Sequence, residues 1–303
     1  MPSWSDILAE LQRTGSPHDV VRRKYLAELS ALTGRNTIIY YSAWLAKPGL
    51  QPQQVLAVND NDKNGFMATI HKLDRTKGLD LVLHTPGGDT AATESLVDYL
   101  RAMFGSDIRA VVPQLTMSAG TMIACACDQI VMGRHSSLGP IDPQIGGIPA
   151  HGVIEEFLRA QTEVKANPAL ANTWAPILAK YPPAFIGECD KAIKWTNALV
   201  QGWLETGMFR RRKDKAAAAK KVIDELANHA LTFSHARHIS ADRARQLGLR
   251  VLPLERDQRL QDAVMSLHHA CVQTLQDSGA VKLIENQEGV AFIQAIRQIA
   301  GTQ

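Results

Sequence analysis

A chain of 303 residues is long enough for one large domain or two small ones, and 45% hydrophobic with 21% charged residues is ordinary for a soluble globular protein. A net charge of +3, from 33 basic and 30 acidic residues, is too small to imply nucleic acid as a partner. No stretch approaches eighteen uncharged apolar residues, which argues against a membrane span, and the start Met1-Pro2-Ser3-Trp4 lacks the basic and apolar regions of a signal peptide.

In chain order, Ser3 caps a first helix that carries Trp4, Ile7, Leu8 and Leu11 on one face. Pro17 opens a second helix over 18–32 that stops at Gly34, so residues 1–34 read as an N-terminal helical arm. The β-branched and aromatic run 36–42 is the first core strand. Asn59-Asp60-Asn61-Asp62-Lys63-Asn64-Gly65 has the look of a calcium loop, but Ile70 stands where the twelfth-position glutamate belongs. It reads instead as a capped turn into a helix over 65–73. Strands at 79–84, 108–112 and 128–132 alternate with helices at 90–104 and after Ser118. That rhythm means right-handed parallel units with helices outside the sheet. The absence of Gly-x-Gly-x-x-Gly argues against a dinucleotide fold.

Gly139, Gly146 and Gly147 with Pro140, Pro143 and Pro149 make 133–152 a loop over the active edge of the sheet. Beyond it the pattern is helical, over 153–164, 170–180, 185–206 and 216–229, with the basic run 210–215 a solvated helix start. A short helix over 240–247, a strand over 248–252 and an amphipathic helix over 257–274 follow, leaving 276–303 as a tail. Cys125, Cys127, Cys189 and Cys271 have no framework spacing and read as buried, reduced thiols of a cytoplasmic protein. The ten histidines form no zinc motif, so neither metal nor cofactor is expected.

Two strand ends carry the chemistry. Strand 108–112 runs through Pro113 into Met117-Ser118-Ala119-Gly120 at the start of an apolar helix, and strand 79–84 runs into Thr85-Pro86-Gly87-Gly88-Asp89. A hydroxyl at a strand-to-helix turn, beside the free amides of the helix start and facing a Gly-Gly pair, is an acyl-transfer arrangement.

Together with 137–144 (Ser-Leu-Gly-Pro-Ile-Asp-Pro-Gln) and 238–249 (His-Ile-Ser-Ala-Asp-Arg-Ala-Arg-Gln-Leu-Gly-Leu), these two motifs resemble the Clp/crotonase superfamily. The chain is most similar there to the signal peptide peptidase A class of serine peptidases, and within it to the serine dehydrogenase proteinase family. The resemblance covers about residues 20–275. It implies an α/β fold, a Clp/crotonase-type parallel sheet of repeated β-α units with a helical C-terminal half, as a peptidase domain over 35–275. It also implies an ATP-independent serine endopeptidase acting on peptides or unfolded proteins, assembled as a homo-oligomer. Ser118 is then the nucleophile, and the amides of Gly88 and Ala119 the oxyanion donors, with Gly87 giving the turn its freedom.

The base is the open position. Clp proteases place a histidine about two dozen residues after the serine, where this chain has Asp142, read as a turn residue before Pro143 or as an orienting carboxylate. The peptidase A class uses a lysine about forty residues on, where this chain has Arg159, which holds its proton at neutral pH. Lys165 is the nearest lysine and the expected base, with Lys180, Lys191 and His135 behind it. His84 reads as a strand-end histidine with a backbone partner. Two rivals share the fold: an acyl-thioester enzyme that uses the amides without Ser118, and a catalytically silent scaffold.

Overall fold

Alternating side chains put both faces of strand β1 (Asn36–Ser42) inside the protein, Ile38 and Tyr40 in one apolar layer and Ile39 and Tyr41 in the other. The computed structural model describes Ile7, residues 18–227 and residues 234–296. Around β1 it builds a sheet from β2 (Leu79–His84), β3 (Ile108–Val112), β5 (Gln129–Met132), β10 (Val251–Pro253), β11 (Ala280–Asn286) and β12 (Ala291–Ala295). The order across these seven strands is β10-β5-β3-β2-β1-β11-β12. Strands β10 through β1 are parallel, while β11 and β12 return antiparallel at the β1 edge. This is the mostly parallel α/β sheet that the resemblance implies.

Helices cover both faces. On one lie α1 (His18–Thr33) and α10 (Gln258–Asp277), packed on each other. The other face carries α2 (Asp62–Ile70), α3 (Thr90–Phe104), α4 (Ala119–Ala126), α7 (Phe185–Thr206), α8 (Lys215–Leu226) and α9 (Ala241–Leu247). Helices α5 (Ala150–Ala166) and α6 (Ala171–Leu178) stand away from the sheet, where Ala150 and Val153 pack with Cys189 in a small cluster of their own. All four cysteines are buried and unbridged. Among the described residues, no helix is long and apolar enough to cross a membrane.

Two boundaries move. The predicted first helix lies outside the described residues except for Ile7, which is buried. Helix α1 buries Val21, Leu26 and Leu29 in the sheet's own core, so residues 18–33 belong to the domain rather than to an arm. The stretch assigned to a tail, 276–303, holds β11 and β12. Lys282 and Glu285 interrupt its apolar pattern, and that hid a strand whose seven residues are all buried. Each charge has a buried partner: Glu285 takes Arg22 Nε at 2.6 Å on one face, and Lys282 reaches Asp62 at 2.7 Å on the other.

His84, at the end of β2, is 2% exposed and packs between the rings of Tyr41, Trp44 and His268. Burial holds its pKa down at about 4, against a backbone hydrogen bond at Leu115 that raises it. His268 is lowered by burial too, and by the neighbouring His84, His269 and His135. An unfolded histidine takes a proton near pH 6.5, before folded His84 does, so the folded state is favoured fully above that pH and loses support as pH falls toward 4. The loss from His84 amounts to about 3 kcal/mol, with His268 adding in the same direction. Urea midpoints measured from pH 7.5 to 4 should therefore fall, and fall less steeply in His84→Gln.

Candidate active site

The turn that carries Ser118 is built from a second, smaller sheet. After β3 the chain makes β4 (Leu115–Thr116), then Met117, then Ser118 at φ 50°, ψ −117°, and α4 begins. A non-glycine residue in that region is strained by about 1–3 kcal/mol, and a serine held so at a strand-to-helix turn presents its hydroxyl outward. Ser118 makes no capping bond with its side chain. Its backbone fixes the turn: Gly120 N–H donates to Met117 O at 2.8 Å, and Met122 N–H to Ser118 O at 3.0 Å.

The glycine turn is laced to this one. Met117 N–H donates to Thr85 O at 3.0 Å, which brings the ends of β2 and β4 side by side. Gly87 adopts φ +98°, and a Cβ there would fall 2.6 Å from Ser118 Cβ, so only glycine lets the two turns touch. Val58 grips the same turn from the far side: its N–H donates to Gly87 O at 2.7 Å, and its O accepts from Asp89 N–H at 2.9 Å. In such a parallel bridge the middle residue turns its own N–H away from the partner strand. Among the described residues no acceptor takes the N–H of Gly88 or of Ala119. Two unused amides therefore flank the half-buried Ser118 at the cavity wall.

A third segment completes the small sheet. β6 (Ser137–Leu138) pairs parallel with β4 and antiparallel with β9 (Ile239–Ser240). Leu138 faces Ile239; continuing that register four residues along brings His235 opposite Asp142. There His235 Nδ1 meets Asp142 Oδ1 at 2.9 Å. Asp142 is 1% exposed, so its carboxylate acts on the ring with little screening from water.

Ser118 and His235 line one cavity of about 470 Å³, together with Gly87, Gly88 and apolar Met122 and Ile141. Among the described residues, no lysine, arginine or carboxylate lines it. His235, Trp44, Pro86 and Gln144 also line a second cavity of about 560 Å³.

The structure thus brings Ser118, Gly87, Gly88 and Ala119 together and leaves the expected base elsewhere. Lys165 lies exposed in the last turn of α5, beside a separate apolar cleft with Phe157, Trp174 and Ile186. Lys180 is exposed, and Lys191 pairs with Glu188 at 2.8 Å, which raises its pKa, the wrong direction for a base. His135 is exposed and packs beside Gly133. Asp142 is not a turn cap but the partner of His235. The segment from Asn59 to Asp62 turns its last carboxylate inward, onto Lys282. Among the described residues no group of histidine, cysteine and carboxylate side chains could hold a metal ion.

His235 escaped the sequence reading because it lies three residues before the 238–249 motif and 117 after Ser118. The signal that could have found it is the pairing of the two short motifs, 137–144 with 238–249. Pairing them antiparallel puts a histidine beside the one buried carboxylate of the loop.

The model of the family described as ClpP-like SDH-type serine proteinase matches residues 21–288. Two proteins of Methanocaldococcus jannaschii, both named as uncharacterized, are similar. One is 27% identical over 267 residues, 88% of this chain and 83% of its own. The other is 24% identical over 234 residues, 76% of this chain and 71% of its own. No solved structure matches the chain.

Gly87→Ala should push the two turns apart and lower the rate at which Ser118 reacts with a fluorophosphonate by about 100-fold or more. Gly146→Ala serves as the control: its φ is also positive, +59°, but a Cβ there meets nothing within 4 Å. Its labelling rate should match the wild type.

Proposed function

Because the chain belongs to the ClpP-like SDH-type serine proteinases, we propose that it is an ATP-independent endopeptidase that cleaves peptides or unfolded protein segments through an acyl-enzyme on Ser118. One observation carries this reading: the wall of a single cavity holds a strained, half-buried serine and a histidine whose Nδ1 is bound by a buried carboxylate. His235 is the base in this reading, and Asp142 its positioning partner. With Nδ1 held by Asp142, Nε2 is the nitrogen left to face Ser118.

The steps follow. Nε2 of His235 takes the proton as Ser118 Oγ attacks the scissile carbonyl, whose oxygen gains charge facing the N–H groups of Gly88 and Ala119. The imidazolium, stabilised by Asp142, returns that proton to the leaving amine. A water molecule then repeats the sequence on the acyl-enzyme, with His235 again as base.

Two cavities that share His235 in their walls suit a chain that extends past the catalytic groups in both directions, which favours cleavage within a peptide over removal of its end residue. An acyl-thioester enzyme would use the same two amides but leave the Asp142–His235 pair without a task. The exposed place of Lys165 leaves it outside the mechanism. Assembly into a homo-oligomer fits the reading as well, since neighbouring subunits would fence a cavity that opens to solvent.

Labelling of the intact protein with a fluorophosphonate, followed by hydrolysis of an unfolded fluorescent protein, tests the reading. Ser118→Ala should abolish both. His235→Ala should slow both by about 100- to 10,000-fold, while Lys165→Met should match the wild type. A wild type that takes no label, or a Ser118→Ala variant that still does, would overturn the proposal.

A further inference from the structure

The donor at Gly88 is aimed by a segment with no place in the catalytic steps, residues 57–62, and that segment is itself held by a charge. Lys282 Nζ, buried on β11, donates to Ala57 O at 2.8 Å and to Asp62 Oδ1 at 2.7 Å. Asp62 Oδ2 accepts from Tyr40 O–H at 2.7 Å and from Asn59 N–H at 3.0 Å. The residue between Ala57 and Asn59 is Val58, whose two backbone bonds clasp Gly87 and Asp89. Lys282 and Asp62 thus both hold the segment that grips the glycine turn, and the Tyr40 hydroxyl also meets Thr85 at the start of that turn.

Asp62 and Lys282 are each about 1% exposed. A buried ion pair of this kind adds little net stability compared with apolar side chains of equal size, but it accepts only one geometry. Burial pulls the lysine's proton affinity below the usual range and Asp62 pulls it back. Tyr40, raised well above its ordinary pKa by burial and by Asp62, stays a donor at every working pH.

From this geometry we infer that Lys282, acting through Asp62, Tyr40 and the Val58 segment, is a positioning residue for the oxyanion donor at Gly88. The inference rests on the acyl-enzyme reading above and adds what aims one of its two amides. The network touches neither the nucleophile nor the His235–Asp142 pair; of the cavity wall it holds Ala57, through its backbone oxygen. What its removal changes is the freedom of Gly88 to turn its N–H from the carbonyl oxygen.

The same strand supplies the control. Glu285 is also fully buried, and takes Arg22 and Arg23 on the opposite face of the sheet, toward α1 and α10 and away from the glycine turn. Destabilisation alone would treat the two pairs alike; positioning would not.

The test compares the full chain with Lys282→Met/Asp62→Asn, with Tyr40→Phe, and with Arg22→Met/Glu285→Gln. Three quantities are measured: folding by circular dichroism and thermal melting, the second-order rate of fluorophosphonate labelling, and the affinity of a peptide in the Ser118→Ala background. The Lys282/Asp62 variant should label about 10- to 100-fold more slowly with peptide affinity unchanged, as a displaced oxyanion donor requires. Tyr40→Phe, which loses the hydroxyl's contacts with Asp62 and Thr85 but no charge, should keep its fold and label several-fold more slowly. The Arg22/Glu285 variant should label at the wild-type rate despite a lower melting temperature. Wild-type labelling in Tyr40→Phe together with a folded Lys282/Asp62 variant would overturn the inference and leave the acyl-enzyme reading standing. So would equal slowing in the Arg22/Glu285 control. A wild type that takes no label would remove the reading on which the inference rests.

Discussion

One hydrogen bond decides where the chemistry can be. Met117 N–H reaches Thr85 O at 3.0 Å, and so the segment after β3 runs beside the segment after β2 for one residue beyond the main sheet. Parallel strands end at the same side of a sheet, and loops that leave them there converge. Without the bond, the two loops would diverge with the sheet's twist. With it, the serine turn and the glycine turn meet at van der Waals distance, and the Cα of Gly87 lies against Ser118. Strain at Ser118 persists because it is over-determined from both ends, by this bond and by the helix that starts at Ala119.

The rest of the sheet serves that junction. Val82 and Val111 in the parallel strands are fully buried and leave no room for slippage. The two antiparallel strands at the other edge bring in charges of opposite sign on opposite faces, Lys282 and Glu285, each with a buried partner. A strand with two unpaired buried charges would not form, so these partners are conditions for β11 as much as consequences of it. Arg35 and Arg109 share Asp80 in the same way at the N-terminal end of β2, far from the reacting groups. Ion pairs thus fix register at several points of the sheet, and among the described residues it is at Asp62 that such a pair also touches a segment that holds the glycine turn.

Much of the fold was legible in the sequence because it depends on local pattern. The strands 36–42, 79–84 and 108–112 and the helices 90–104 and 185–206 stand where their apolar periods put them. Ser118 and the Pro-Gly-Gly turn were legible because short motifs with special backbone geometry leave a signature in glycine and proline. What failed depends on partners distant in sequence. The span 276–303 reads as a tail from local pattern, since the buried charges of β11, Lys282 and Glu285, find their partners Asp62 and Arg22 more than two hundred residues away. Asp142 was read as a turn residue for the same reason: its role exists only once His235 is opposite. Lys165 came from a distance counted along the chain, and helix α5 carries that position away from the sheet.

The Asp142–His235 pair also explains why counting from the serine misleads. The proposed mechanism needs an imidazole within reach of the hydroxyl and a carboxylate behind the imidazole, and it is indifferent to which of the two comes first in the chain. In a Clp protease the position about two dozen residues after the serine holds the histidine. Here that place holds a carboxylate, too weak a base to act on a serine alone. The antiparallel register of β6 with β9 resolves the difficulty, because a segment arriving from the other direction can supply the ring from the front while the carboxylate stays behind it. The buried position of Asp142 and the partial exposure of His235, 24% against 0% for the side chains, have the order this requires. In the proposed mechanism the inner member stays in the protein and the outer meets substrate. A geometry that exchanges the two places along the chain keeps the same order in space, and the order in space is what proton transfer reads.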